Sequence, residues 1–163
     1  MSTRLLLLDA GNTRLKWAVL DTHSVETQAC LPRQAGEGLS EPFPWLAQGA
    51  LDYADLLNLP AIAQQAGAWT GCYGVNVAGD AVAVSIQQAL VHTGVTPIWL
   101  SATRAAAGVT NGYRPPESLG ADRWAGVCAA RQRTAEAALV VSAGSALTVD
   151  ALSADGQFLG GII

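Results

Sequence analysis

Several groups that can contact a phosphate follow directly after an apolar run near the start of the chain. The stretch LDAGNTRLKW places Asp9, Gly11, Thr13 and Lys16 behind the leucines of residues 5–8. A strand that ends in a tight glycine turn exposes backbone N–H groups, which bind phosphate without side-chain bulk. Thr13 adds a hydroxyl, Lys16 adds a positive charge, and Asp9 can hold Mg²⁺ through water. The stretch predicts a phosphate-binding turn, and an ordinary hairpin is the alternative.

A second stretch of the same kind lies near the other end of the chain. The run ALVVSAGSALTVDAL sets Gly144 and Ser145 between two apolar strands. Two facing hairpins are the way in which the actin-like nucleotide-binding fold holds ATP. A P-loop is excluded, because the sequence has no GxxxxGK[ST] and no GxGxxG after a strand.

A possible base lies between these two hairpins, in NGYRPPESLGADRWAGVCAAR (residues 111–131). Asp122 and Arg123 follow Gly120 at the start of an expected helix. The carboxylate can accept a proton from an attacking hydroxyl, and the guanidinium can bind an anionic group. The helix N-terminus favours anions as well. The alternative is an Asp and an Arg on a solvated helix surface.

The elements that must position these residues alternate between strands and helices. Periodicity and turn residues predict, in order, a strand over Arg4–Asp9, a strand over Leu15–Leu20, a weaker strand over Val25–Leu31, a surface excursion over 32–52, a helix over 53–66 that Pro60 kinks, breaks or begins, a strand over Trp69–Val77, a helix over Asp80–His92 with a stop at Gly94, and a strand over Thr96–Leu100.

The second part of the chain begins with a segment that contains Gly, Asn and two prolines. We expect a loop over 101–117, a helix capped by Ser118 and running to about Arg133, two strands around a turn at 143–145, and a strand from 156. The sequence therefore predicts an N-terminal domain over residues 1–110 and the start of a second domain over 111–163.

Composition limits the possible partners. Of 163 residues, 50% are hydrophobic and 13% charged, with a net charge of -4, so the chain is long and apolar enough to bury a core. Scattered basic residues argue against nucleic acid, and no apolar run reaches the ~20 residues of a membrane span. The three widely spaced cysteines indicate buried thiols in a reducing cytoplasm, and His23 and His92 have no suitable neighbours for chemistry.

Taken together, four motifs resemble those of type III pantothenate kinases, the family that includes the Bvg accessory factor proteins. They are DAGNTRLK (9–16), NGYRPPESLGADR (111–123), SAGSALTVD (142–150) and GQFLGGII (156–163). The second motif is long and specific, and the order of the four covers essentially the whole chain. The resemblance implies an α/β, actin-like or ribonuclease H-like (hexokinase-type) ATPase fold with a complete first domain and the beginning of a second.

The resemblance also implies a reaction, in which the γ-phosphate of ATP passes to the hydroxyl of pantothenate as the first step toward coenzyme A. It implies a homodimer that needs Mg²⁺ and a monovalent cation, K⁺ or NH₄⁺. Asp122 would be the base, and pantothenate would contact Tyr113, Gly120, Ala121, Asp122 and Arg123. ATP would contact Asp9, Ala10, Gly11, Asn12, Thr13, Arg14, Leu15 and Lys16, with Gly144 and Ser145.

Two departures keep other functions open. The aspartate that helps to bind the family's monovalent cation is Ser142 here, and a serine hydroxyl is a neutral, weaker ligand. The chain also stops at Ile163, where family members continue, and we expect exposed apolar surface there. The alternatives are a non-catalytic regulator or nucleotide-binding protein, and another kinase or a phosphatase of the same fold.

Overall fold

The structure is a computed structural model that describes residues 3–23 and 45–163. The chain forms two compact units. The first contains Met1–Gly74 and Ala78–Ile98, and the second contains Val75–Val77 and Trp99–Ile163.

A five-stranded sheet forms the first unit's framework, in the order β3-β2-β1-β4-β5. β1 and β2 are antiparallel over their whole length, from the pair Arg4 and Asp21 to the pair Ala10 and Leu15. The expected first hairpin is therefore confirmed. The strands are β1 (Arg4–Ala10), β2 (Leu15–Asp21), β3 (Trp45–Leu51), β4 (Gly71–Asn76) and β5 (Pro97–Trp99).

The apolar pattern of the hairpin explains its position in the sheet. Leu6, Leu8 and Ala10 alternate along β1 and are all buried, as a strand with one core-facing side requires. On β2 the run from Trp17 to Leu20 is buried on both sides. This burial fixes the register, because a slip by one residue would move the β1 leucines to the opposite face.

Short helices complete the first unit. A 3₁₀ segment over Tyr53–Asn58 leads into α1 (Leu59–Gln64), where Pro60 lies in the first turn, so the proline begins a helix. α2 (Asp80–Leu90) continues as a 3₁₀ turn that Gly94 ends in the left-handed conformation, with φ of 73°. The expected helix and its stop are confirmed.

The second unit has its own five-stranded sheet, in the order β6-β7-β10-β9-β8. β8, β9 and β10 are antiparallel neighbours, whereas β7 and β10 run parallel. The elements are β6 (Ala105–Ala106), β7 (Val109–Asn111), α3 (Ala121–Arg133), β8 (Ala138–Ala143), β9 (Leu147–Leu152) and β10 (Gln157–Ile162).

Only one face of this sheet is covered by the described residues. Trp124 and Val127 of α3 belong to the same buried cluster as Leu152 and Phe158, and Val140 packs against that cluster. The neighbours of Val140 on β8 must point the other way. The large exposed apolar side chains of these three strands and their ends are Leu139, Val141, Leu147, Leu159, Ile162 and Ile163.

Three sequence-based expectations are corrected by the structure. Residues 45–51 are not part of a surface excursion, because they pair antiparallel with β2 as strand β3. The stretch 101–117 is not only a loop, since it contains β6 and β7. The helix begins at Ala121 after an N-cap at Gly120, and Ser118 lies in a preceding 3₁₀ turn.

Two further expectations, a weak strand and a domain boundary, are not decided by the structure. The weak strand expected over Val25–Leu31 lies outside the described residues. The domain boundary expected at residue 110 stays a prediction. The main segment of the second compact unit begins at Trp99 and includes β6 and β7, which pair with each other, while β7 also pairs with β10. Across the described ranges, the helices are too short or too polar to cross a bilayer.

Candidate functional site

The first candidate group is the turn between β1 and β2. Asp9 and Lys16 are register partners across the two strands, and Lys16 Nζ lies 3.0 Å from Asp9 Oδ2. Both side chains reach solvent, with 57% of Lys16 and 39% of Asp9 exposed. The hairpin therefore brings a carboxylate and an ammonium together at its open end, beside the four turn residues.

The turn is held from a distant part of the chain. The Tyr53 hydroxyl donates a hydrogen bond to the carbonyl oxygen of Gly11. Burial raises the pKa of Tyr53 above its ordinary value, and the nearby charge of Asp9 raises it further. The phenol therefore stays protonated and remains a donor at neutral pH. No sequence signal singled out Tyr53, because it lies 42 residues from its partner in a segment expected to be helical.

The turn glycines are not required by the protein's own packing. A Cβ built on Gly11 would meet only Arg14 O at 3.7 Å, and one on Gly144 would meet Ala146 O at 3.8 Å. Both are ordinary van der Waals contacts, and neither residue has a positive φ. Close approach of a ligand would give these two glycines a purpose that the fold does not.

In the second unit, buried Asn111 organises the loop that precedes α3. Its side-chain amide donates to Pro116 O at 3.1 Å, and its Oδ1 accepts from Tyr113 N at 3.0 Å. Asn111 is fully buried, and the Tyr113 ring stacks on Phe158 with centroids 5.7 Å apart. The Arg114–Pro115 bond in this loop is cis. The first part of the long motif is thus a scaffold for Tyr113.

Asp122 occupies the first turn of α3 and is exposed. Its Oδ1 accepts the N–H of Arg123 at 2.8 Å, which satisfies one of the unpaired donors at the helix start. A Cβ on Gly120 would lie 2.7 Å from this oxygen, so the glycine leaves room for the carboxylate. The geometry is compatible with a base at a helix N-terminus and also with a residue that only supports the helix.

Arg123 is held by a residue that the sequence analysis did not single out. Its Nε lies 3.1 Å from both carboxylate oxygens of Asp150, and its Nη2 lies 2.5 Å from Oδ1. The Asp150 side chain is 1% exposed and the Arg123 side chain 12%. Hydrogen bonding to Asp150 raises the pKa of Arg123, burial lowers it, and the charge of Asp150 raises it further.

The second hairpin carries the other candidate ligands. Ser142 on β8 is the register partner of Thr148 on β9, and the three residues after Ala143 form the turn that contains Gly144 and Ser145. Thr148 Oγ1 is buried and has no hydrogen-bond partner. Two residues with neutral hydroxyls thus lie opposite each other on the two strands that flank the turn.

The expected site residues therefore fall into separate groups. Tyr113, Asp122 and Arg123 belong to the second unit, as do the turn residues of the second hairpin, whereas Asp9–Lys16 belong to the first. Tyr53 and Asp150 were missed by sequence reasoning. Asp150 lies within a quoted motif, but its spacing gave no sign that it meets Arg123.

The comparisons with known proteins decide the family. The family model described as type III pantothenate kinase matches residues 5–163. The chain belongs to the type III pantothenate kinase family. It is 41% identical over 163 residues to the type III pantothenate kinase of Thiobacillus denitrificans, covering all of this chain and 57% of that protein.

Further relatives give the same family. The type III pantothenate kinase of Azoarcus sp. is 42% identical over 159 residues, which cover 98% of this chain and 54% of that protein. That of Idiomarina loihiensis is 36% identical over 162 residues, covering 98% and 58%. The chain thus spans just over half the length of these relatives.

The fold class agrees with the family. Two mixed sheets with helices confirm the expected α/β class, and type III pantothenate kinases have an actin-like ATPase fold. Among solved structures, one titled as a structural study of the Aquifex aeolicus PPX-GPPA enzyme matches with a TM-score of 0.41 and 9% identity, over 99% of this chain and 52% of that one. A similarity at this TM-score does not establish a shared fold.

Proposed function

We propose that the protein is a pantothenate kinase, which transfers the γ-phosphate of ATP to the hydroxyl of pantothenate and gives 4'-phosphopantothenate. The observation that carries the proposal is the folding of the long family motif. Within residues 111–123, Asn111 holds the loop at Tyr113, Arg123 is fixed by its pair with Asp150, and Asp122 stays exposed at a helix start. These residue types suit a substrate with a carboxylate and a reactive hydroxyl.

In the proposed reaction, Asp122 positions the hydroxyl and accepts its proton. The hydroxyl oxygen forms a bond to the γ-phosphorus, the bond to the bridging oxygen breaks, and ADP leaves. The protein contributes mainly by positioning groups and balancing charge in such a transfer. The N-terminus of α3 favours the negative charge that Asp122 carries before the proton arrives.

The turn at Gly11–Arg14 and the residues beside it are proposed to bind the phosphates of ATP. Backbone N–H groups of residues 10–15 would donate to phosphate oxygens, and Lys16 would add charge. Lys16 is already paired with Asp9 at 3.0 Å, so Asp9 sets its position before the nucleotide arrives. Gly144 and Ser145 of the second hairpin are proposed as further ATP contacts.

The donor set fits Mg²⁺. Within residues 3–23 and 45–163, no group of three or more His, Cys, Asp or Glu side chains is placed to hold a metal ion. Asp9 offers one solvent-accessible carboxylate, and Mg²⁺ commonly takes one or two carboxylates together with water and substrate phosphates. When bound, the ion neutralises charge on the triphosphate.

A monovalent cation has a weaker donor set. Ser142 and Thr148 present neighbouring hydroxyls, and Thr148 Oγ1 has no partner in the protein. Neutral oxygens suit K⁺ or NH₄⁺, but the pair lacks the carboxylate charge of other family members. We therefore propose that the cation binds weakly and that K⁺ activates this protein less than its relatives.

Two observations favour a second candidate, a non-catalytic regulator or nucleotide-binding protein. Ser142 removes a charged cation ligand, and Asp122 already supports its own helix.

A homodimer and a cytoplasmic location belong to the kinase proposal as well and rest on the family resemblance. A different kinase or a phosphatase is disfavoured by the long motif, which the general fold does not require.

The test is ADP release from ATP and Mg²⁺ by the purified gene product that contains this chain, with and without pantothenate, in K⁺ and in Na⁺. The proposal expects ADP release that depends on pantothenate, with a small K⁺ advantage. ATP binding without pantothenate-dependent turnover would favour the regulator, and ADP release that ignores pantothenate would favour another enzyme of the fold.

A further inference from the structure

The starting point is the position of Asp150 on β9. Its register partners are Val140 on β8 and Gly161 on β10. Val140 packs against the buried cluster under α3, so Asp150 faces the same side of the sheet. A buried carboxylate is costly unless it is paired, and here its partner is Arg123.

Gly161 makes this arrangement possible. A Cβ at residue 161 would overlap Asp150 Oδ1, approach Val149 O to 2.5 Å and approach Arg123 Nη2 to 2.7 Å. Its φ lies outside the left-handed range, so space and not backbone conformation requires the glycine. Because residue 161 has no side chain, the Arg123 guanidinium and the Asp150 carboxylate can meet in the space that a Cβ on β10 would fill.

The pairing fixes one edge of the guanidinium. The hydrogen bonds to Asp150 use Nε and Nη2, and none of them uses Nη1. Two-point contact with a planar fork sets orientation as well as distance, which a lysine cannot reproduce. The positive charge of Arg123 is largely balanced by Asp150. For binding of an anionic substrate, the orientation of the remaining N–H donors of Arg123 therefore matters more than its net charge.

We propose that Asp150 is a positioning residue for substrate binding, which acts through Arg123, and that Gly161 is the glycine that this pairing needs. The inference rests on the proposed function, because it takes the substrate held by Arg123 to be pantothenate. Asp150 itself does not touch the substrate. It holds the guanidinium so that Nη1 donates to an oxygen of the substrate in one orientation.

The main variant is Asp150→Asn in the purified gene product that contains this chain. Loss of an aligned hydrogen bond from the charged guanidinium weakens binding by roughly 10- to 100-fold, so we expect the KM for pantothenate to rise by about that factor. The KM for ATP should not change. Asp155→Asn, on the exposed turn before β10, is the matched control and should leave both constants unchanged.

Two further variants separate positioning from a general structural role. Gly161→Ala should reproduce the effect of Asp150→Asn, whereas Gly126→Ala on α3 should not, since a Cβ there meets only Val140 at 3.5 Å. In an Arg123→Ala background, Asp150→Asn should add nothing to the KM for pantothenate. Additive effects of the two substitutions would overturn the proposal.

A measurement that does not depend on turnover tests the Arg123–Asp150 pairing directly. It applies to variants that fold poorly, and it separates a failure of the pairing from a failure of the proposed function. The Nε–H of Arg123 should give a slowly exchanging resonance in nuclear magnetic resonance spectra, and Asp150→Asn should abolish it. If the unsubstituted protein shows this resonance but binds no pantothenate, the proposed function fails and the pairing stands. If Arg123 Nε–H exchanges as fast as exposed arginines, or the KM is unchanged in Asp150→Asn, the positioning role is wrong.

Discussion

Lys16 Nζ lies 3.0 Å from the carboxylate of Asp9, directly across the first two strands. Because both side chains are substantially exposed, this ion pair contributes only about 0–1 kcal/mol to the free energy of unfolding. The position of the pair beside the turn is better explained by ligand binding than by stability.

Lys16→Met should therefore separate the two roles. We expect a higher KM for ATP and a melting temperature close to that of the unsubstituted protein, measured by steady-state kinetics and thermal unfolding. Lys16→Arg keeps the charge and should retain most of the ATP affinity. A large loss of stability with an unchanged KM would show that the pair is structural.

Tyr53→Phe tests the support behind the same turn. Loss of the hydrogen bond to Gly11 O should lower the free energy of unfolding by about 0.5–1.5 kcal/mol and raise the KM for ATP. Tyr73→Phe, an exposed tyrosine on β4, is the matched control. If the two variants behave alike in urea unfolding and in ATP kinetics, the Tyr53 hydrogen bond does not support the turn.

The pH dependence of the Tyr53 contribution follows from its raised pKa. A group whose pKa is higher in the folded state stabilises it fully below the unfolded pKa, which is about 10 for tyrosine. That contribution is lost as the pH rises through the folded pKa. The stability difference between the unsubstituted protein and Tyr53→Phe should thus be constant near neutral pH and shrink only above about pH 10. A difference that shrinks between pH 7 and 9 would contradict it.

Substitution of two glycines of the first unit by alanine should have opposite effects on stability and on ATP binding. Gly11→Ala meets only ordinary contacts, so it should leave stability unchanged and weaken ATP binding. Gly49→Ala would place a Cβ 3.0 Å from the Trp17 ring and should lower stability by about 1–3 kcal/mol. Chemical unfolding and ATP titration of both variants check this pair, and weaker ATP binding in Gly49→Ala alone would contradict it.

Local patterns predicted the two hairpins and the helix ended by Gly94, because apolar alternation and turn residues act over a few positions. They failed at β3, because Ala47, Gly49 and Ala50 give little strand signal and the pairing with β2 is not visible locally. They also missed Asp150, whose partner is 27 residues away, since only the sheet register brings the two together. The family motifs contain both Arg123 and Asp150, but nothing in them shows that the two side chains pair.

The cysteines give a prediction independent of the proposed function. Burial raises the pKa of Cys72 to about 12, so its thiol stays protonated at neutral pH. Cys72 should resist alkylation in the folded protein and react after unfolding, as resolved by peptide mass spectrometry. Cys128 is only half-buried and should react first of these two. Alkylation of Cys72 at the rate of a free thiol in the folded protein would contradict this.

The central claim is that the γ-phosphoryl group reaches pantothenate with Asp122 as the base. The direct measurement uses ATP labelled with ¹⁸O at the terminal γ-oxygens, with pantothenate and its products followed by mass spectrometry. We expect labelled 4'-phosphopantothenate from the purified gene product that contains this chain, and none from Asp122→Asn, although that variant should still bind ATP. Labelled inorganic phosphate without phosphopantothenate, or full turnover by Asp122→Asn, would contradict the account.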